Sequence, residues 1–127
     1  MPSEQTAAAA LLDIAENIGF AQSFVEGMTY EQFRDNRLVF YAVTRCLEII
    51  SEASRRLPPG IKNRHPHIPW PDIAGAGNIY RHNYEDVQQK LVWGTIHKRL
   101  PELLAAVNRE KRPDCPAREG SPPDQDS

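Results

Sequence analysis

The sequence of 127 residues has little cysteine, no long apolar run and no excess of positive charge. Its two cysteines, Cys46 and Cys115, stand at no spacing that suits a zinc site or a redox pair. The first reads as a buried thiol in an apolar helix and the second as a thiol in a tail. No window of about 18 apolar residues exists, which excludes a transmembrane helix. The segment Met1-Pro2-Ser3-Glu4-Gln5 has no basic stretch leading into an apolar run, so no secretory signal is expected and the cytoplasm is the expected compartment. Lysine and arginine number 15 against 17 aspartate and glutamate, a formal net charge of −2. That balance excludes an extended basic surface and the tight non-specific nucleic-acid binding that counterion release drives. If the chain meets a nucleic acid, the positive charge must be local, or gathered by pairing two subunits. Strand-like alternation and internal repeats are missing too.

What is present is helical periodicity. Apolar residues make up 40% and charged residues 25%, and the length suits one domain with a modest core. Leu11, Ile14, Ile18, Ala21 and Val25 recur at three- and four-residue steps, predicting a helix over about 6–26 that Gly27 stops. Thr29-Tyr30-Glu31-Gln32 has the form of a capping box. A long central helix should follow it, carrying Phe33, Phe40, Val43, Leu47, Ile50 and Leu57 on one stripe. Leu38, Tyr41, Ala42, Cys46, Ile49 and Ala53 form a second stripe beside the first, so the helix should pack against more than one neighbour. Pro58-Pro59-Gly60 should end it, and 58–69 read as a loop rich in proline, histidine and basic groups. A third helix is expected from Pro69-Trp70-Pro71-Asp72 to about Tyr84. Gly75 and Gly77 weaken it by roughly 1 kcal/mol each relative to alanine, a cost that points to a close approach to the backbone. The last helix begins near Asp86 and uses Leu91, Val92, Ile96, Leu100, Leu103 and Val107, with Pro101 kinking or dividing it. Residues 112–127 read as a disordered Pro-rich tail, leaving 1–111 as the domain. The fold class is all-α, an antiparallel bundle of four to five helices.

Polar groups of catalytic type cluster within seven positions: Asn78, Arg81, His82 and Tyr84. On a helix, Asn78 and His82 share one face, as do Gly77, Arg81 and Tyr84, while Arg81 and His82 diverge by about 100°. Cutting RNA without a metal needs a base for the 2′-hydroxyl, a cation for the phosphate and an acid for the leaving oxygen. Histidine suits the first or last task, because its unperturbed pKa lies near 6.5. Arginine suits the second, with its fixed fork and permanent charge. Tyrosine can donate to a phosphate oxygen, and asparagine can orient the histidine ring. A solvated surface with a half-buried tyrosine would use the same residue types, so composition alone does not decide.

Pro69-Trp70, Ile73-Ala74-Gly75, Asn78, His82-Asn83-Tyr84 and Leu100-Pro101-Glu102-Leu103-Leu104, in this order and spacing, resemble the HepT-like ribonucleases of the HEPN superfamily. Leu47-Glu48-Ile49-Ile50-Ser51-Glu52-Ala53 is similar to that family's long helix, and the likeness spans about residues 7–110. The resemblance implies an HEPN-like bundle and a toxin encoded beside a minimal nucleotidyltransferase antitoxin. It further implies metal-independent endoribonuclease activity at the cleft of a homodimer, with no cofactor and no metal. Neutralisation would come by AMP transfer to the motif tyrosine, here Tyr84, where a bulky anion would neutralise the site. The family motif reads Arg, four residues, His, any residue, Tyr. His82 and Tyr84 match it, whereas the arginine position holds Gly77. Arg81 lies one turn further along the same face, and helical side chains lean toward the N-terminus. Its guanidinium is therefore expected in the space of the missing arginine, with Gly77 leaving room. The catalytic set is then Arg81, His82 and Tyr84, with Asn78 orienting substrate. The other reading is a HEPN dimer that binds a nucleotidyltransferase without cutting RNA.

The remaining polar and aromatic residues have plainer readings. His65 and His67 are expected in a solvated loop, with RNA contact as the lesser alternative. His97 should meet solvent or complement a helix end. Trp70 and Trp93 should anchor the core rather than stack on bases, and Tyr80 either packs or touches substrate. Asp72, Glu85 and Asp86 read as caps and solvated groups.

Overall fold

The computed structural model describes residues 4–77 and 85–111, and among them every regular element is helical. Residues 78–84 and 112–127 lie outside the described residues, and with them the expected tail and Cys115. The first helix, α1 (Glu4–Phe24), buries Ala10, Leu11, Ile14, Ile18 and Ala21 along the predicted stripe, and Val25, just past its end, is buried too. It ends in a turn at Gly27, whose φ of 76° lies in the left-handed region that favours glycine. The capping box is present: the Gln32 amide donates to Thr29 Oγ1 at 3.1 Å, and the Thr29 amide donates to Gln32 Oε1 at 2.9 Å.

The helix that this box starts is short, contrary to the single long helix expected. It stops as α2 (Tyr30–Arg34), and α3 (Arg37–Arg55) begins anew. Asn36 is the cause. Its backbone is extended, and its Oδ1 accepts the Val39 amide at 3.0 Å, so the side chain caps a new helix instead of continuing the old one. The break leaves the apolar stripe intact, since Phe33 and Phe40 still meet with ring centroids 6.0 Å apart. The second stripe of α3 divides. Cys46 and Ala53 are buried, whereas Leu38 is 79% and Tyr41 59% exposed. Burial pushes the Cys46 thiol pKa up, which suits an inert core thiol.

The expected loop over 58–69 contains a helix, α4 (Pro59–Arg64), because proline fits a first helical turn and Ile61 brings an apolar group to the core. His65 corrects the solvated reading: it is 4% exposed, and its Nε2 lies 2.7 Å from Glu110 Oε2 at the end of the last helix. Arg64 completes the cluster through Nε and Nη2, at 3.0 and 2.7 Å from the same carboxylate. Trp70 opens α5 (Trp70–Gly75) as a core anchor, its indole N–H shared between the carbonyls of Lys62 and His65.

Pro101 acts as expected, in a particular form. The final helix divides into α6 (Glu85–Gly94), one π-helical turn over Thr95–Arg99, and α7 (Leu100–Glu110). Proline has no N–H for the carbonyl one turn back and its ring clashes with it, so the wider turn relieves the crowding. Val92, Ile96, Leu100, Leu103 and Val107 are buried as expected, but Leu91 is 42% exposed and faces a cleft instead. Trp93 packs against Phe33, with ring centroids 5.2 Å apart, and is the anchor predicted. His97 is exposed, its ring 4.2 Å from that of Trp93 and its Nδ1 2.9 Å from the Trp93 carbonyl. The helices α1, α3 and α7 surround the core, α5 lies on α3, and the all-α, HEPN-like architecture is the one expected.

Glu110 gives the bundle a pH dependence. The hydrogen bond from Arg64 holds its carboxyl below the usual carboxylate range, burial opposes this, and His65 adds to it. A depressed folded-state pKa stabilises fully above the unfolded value and is lost as pH falls through the folded one. Glu110→Ala should therefore destabilise the domain by about 1–3 kcal/mol near neutral pH, since His65 loses its buried partner. The gap to the wild type should close as pH falls below the ordinary carboxylate range. Denaturant titrations across that range measure it.

Candidate functional site

The motif stretch is flanked by α5 and α6, which α3 and α2 fasten in turn. On its N-terminal side, Ser51 is 1% exposed and occupied in two directions. Its hydroxyl donates to the Ile73 carbonyl at 2.9 Å and accepts the Gly77 amide at 2.8 Å. One turn along, Arg55 Nη2 donates to the Ala74 carbonyl at 2.8 Å. A helix end leaves its last carbonyls without intrahelical partners, and here side chains of a neighbouring helix supply them. The short α5 is thus fastened where the chain enters the motif.

Gly77 is where two backbones nearly touch. A Cβ there would stand 2.9 Å from Glu48 Cα and 3.2 Å from Ser51 Oγ. The close approach that the glycines forecast exists at Gly77. At Gly75 a Cβ would meet nothing within 4 Å, so that glycine has no such reason. The space beside Gly77 is filled by the α3 backbone, and Arg81, whose guanidinium was expected near it, lies outside the described residues. An arginine at 77 would need α3 and α5 to separate.

On the C-terminal side, Glu85 begins α6 with its carboxylate 3.8 Å from Arg37 Nη2. Gln89 fastens this end, its Nε2 donating to the Arg34 carbonyl at 3.2 Å and reaching Glu85 Oε2 at 3.4 Å. Arg34 itself is bound to Asp35 by two hydrogen bonds of 2.9 and 3.2 Å. A cleft of about 620 Å³ opens here between Arg34, Arg37, Tyr41, Glu85, Asp86 and Gln89. A second, of about 390 Å³, continues past Tyr41 along α3 to Arg45 and Glu48. On the opposite flank a third, of about 350 Å³, is lined by Asp72, Gly75, Ala76, Leu91, Thr95 and Arg99.

The expected catalytic residues Arg81, His82 and Tyr84, together with Asn78 and Tyr80, lie outside the described residues, so the structure locates the frame around them rather than their side chains. Among the described residues no group of histidine, cysteine and acidic side chains could hold a metal ion, and no helix is long and apolar enough to cross a membrane. Asp72 and Glu85 are exposed as expected, though neither caps a helix through its side chain; both face arginines. The sequence reading missed Ser51, Arg55, Arg37 and Arg99. A serine in the apolar run Ile49-Ile50-Ser51 was the available signal, because a polar group on a buried stripe needs a partner.

An all-helical domain with a polar motif framed by a long helix narrows the class, and comparison with known proteins narrows it further. The family description "Ribonuclease HepT-like" matches residues 14–110, and the chain belongs to this family. A Methanocaldococcus jannaschii protein named "Putative RNase" is 39% identical over 93 residues, covering 73% of this chain and 77% of that protein. A Thermococcus cleftensis protein named "Probable ribonuclease HepT" is 37% identical over 102 residues, covering 80% of this chain and 93% of its own length. No solved structure matches the chain.

The Gly77 contact yields a direct test. Gly77→Ala should cost about 1–3 kcal/mol, since the added carbon meets backbone rather than a yielding side chain. Ser51→Ala, which strands the buried Gly77 amide, should cost a similar amount. Gly77→Arg should lower the melting temperature more than either. An unchanged melting temperature in Gly77→Arg would show that α5 is not held as described.

Proposed function

We propose that this chain is a ribonuclease toxin, one half of a toxin–antitoxin pair, cutting RNA as a metal-independent endoribonuclease in the cytoplasm. The observation that carries the proposal is membership of the HepT-like ribonuclease family over a stretch that contains His82 and Tyr84 at the motif spacing. His82 serves as general acid–base, Tyr84 donates to the phosphate, and Asn78 orients the substrate. The Gly77 contact bears on the cation. Position 77 is packed against Glu48, so phosphate charge must be met from elsewhere, and Arg81 is the nearest arginine in sequence. The active form is a homodimer in which two such motifs face one RNA chain, which offsets a net charge of −2 per subunit.

The partner is a minimal nucleotidyltransferase, and AMP transfer to Tyr84 silences the toxin. The phenol oxygen attacks the α-phosphorus of ATP, pyrophosphate leaves, and the phenol proton passes to a base of the transferase. The adenylylated tyrosine sets an anion beside His82 and Arg81, where substrate phosphate would otherwise bind. Gly77 also gives weight to a second reading, in which the dimer binds the transferase without cutting RNA.

Purified wild type should cleave single-stranded RNA in the presence of EDTA. His82→Ala should abolish cleavage, and Arg81→Ala should lower it about as far, by a factor of about 10² or more. Full activity in Arg81→Ala would remove Arg81 from the mechanism. Expression without the neighbouring gene should arrest growth for the wild type and not for His82→Ala; equal growth of the two strains would support the scaffold reading.

A further inference from the structure

Two arginines flank the motif stretch and are held in a way the others near them are not. Arg34 and Arg45 are engaged by carboxylates at 2.9 and 3.1 Å, and Arg55 by a carbonyl at 2.8 Å. Arg37 and Arg99 each stand 3.8 Å from a carboxylate, Glu85 and Asp72 respectively, which is beyond hydrogen-bond reach. Their side chains are 72% and 46% exposed, and each lines a cleft. Arg37 lies at the flank where α6 begins, and Arg99 faces Gly75 and Ala76 on the flank where α5 ends.

The clefts open along one face of α6 and its continuation. Glu85 and Gln88 line the first, and Leu91, Thr95 and Arg99 line the other. Within the π turn over Thr95–Arg99, Thr95 and Arg99 line the same cleft, so the turn carries a cation on this face. From Glu85 to Arg99 the face is about 21 Å long at the helical rise. Beside Arg37, Tyr41 presents an aromatic ring at 59% exposure between two clefts, with Arg45 one turn further along α3. A solvent-facing tyrosine one turn from Arg37 offers a stacking surface beside a loosely held cation.

We infer that this face is the path of the substrate: a single-stranded RNA lies along α6, with Arg99 and Arg37 binding phosphates at its two ends and Tyr41 stacking on a base. The inference rests on the ribonuclease reading for the nature of the strand. The loose ion pairs are what the path requires. A guanidinium without a hydrogen-bonded carboxylate keeps its donors for a phosphate fork, and RNA need only displace Asp72 or Glu85 from 3.8 Å. The same acids, with Asp86 and Glu48 in the clefts, keep the resting surface from being basic. That fits a protein of net charge −2 that must bind its strand locally.

The test is binding of a fluorescent 2′-O-methyl oligonucleotide, which cannot be cleaved because its 2′-hydroxyls are blocked, followed by anisotropy at several salt concentrations. Arg37→Gln and Arg99→Gln should each weaken binding several-fold and reduce the log–log salt slope by about 0.7, the share of one phosphate on a single strand. Tyr41→Ala should weaken binding about fivefold with the slope unchanged. Asp72→Asn should tighten it. Arg109→Gln, an exposed arginine at the other end of α7, should match the wild type. Wild-type binding by Arg37→Gln and Arg99→Gln, an equal loss in Arg109→Gln, or no binding by the wild type would each overturn the path. Parallel cleavage assays separate the two claims: an intact salt-slope pattern without any cleavage keeps the path and removes the ribonuclease, and cleavage unaffected by the arginine changes does the reverse.

Discussion

The backbone contact between Gly77 and Glu48 is the constraint around which the rest of the site is arranged. Helices usually keep 8–10 Å between axes because side chains intervene. Here the end of α5 comes down onto α3 until only a glycine fits, and the hydroxyl of Ser51 sits in the gap, bonding both sides of it. The hydrogen bonds alone would not hold α5, since each is worth about 1 kcal/mol net. Their role is to satisfy the Ile73 carbonyl and the Gly77 amide that the contact takes out of water. Ile73, 2% exposed, supplies the apolar burial that makes the approach favourable.

That contact links two departures in the sequence that look separate. The family motif has an arginine where this chain has Gly77, and the chain has an arginine at position 81, beside the motif histidine. With α3 packed against 77, an arginine there and the observed seat of α5 exclude one another. The chain has the tight seat, and on the path we infer Arg37 and Arg99, on elements that flank the motif at either side, supply the positive charge instead. Each of these guanidinium groups has a carboxylate 3.8 Å away, close enough to balance it and too far to tie it by a hydrogen bond.

Much of the bundle could be read from periodicity. The stripes of α1 and of the α6–α7 pair stand where three- and four-residue spacing puts them, and the Thr29–Gln32 box is present in both of its bonds. Periodicity failed at Asp35-Asn36, because a break that keeps Phe33 and Phe40 on one apolar surface leaves the hydrophobic pattern unchanged; only the capping capacity of Asn36 marked it. It failed again at His65, whose basic, proline-rich surroundings suggested solvent. Its partner Glu110 is 45 residues away, and a long-range pair of this kind leaves no local trace. The expected site residues 78–84 lie outside the described residues, and their frame was not legible in the sequence: Ser51, Arg55 and Arg99 gain meaning only when α3, α5 and the π turn are placed beside one another.

The π turn shows how a residue with no chemistry of its own takes part in a site. Pro101 removes one hydrogen-bond donor and crowds one carbonyl, and the helix answers by widening over Thr95–Arg99. The turn places Thr95 and Arg99 on the lining of the cleft at the end of α5. The energetic cost of the irregular turn is met by the buried neighbours on either side of it, Ile96, Leu100 and Leu103. A regular helix at this place would be the easier structure to fold. The irregular one follows from Pro101, which denies the helix a donor and crowds the carbonyl one turn back.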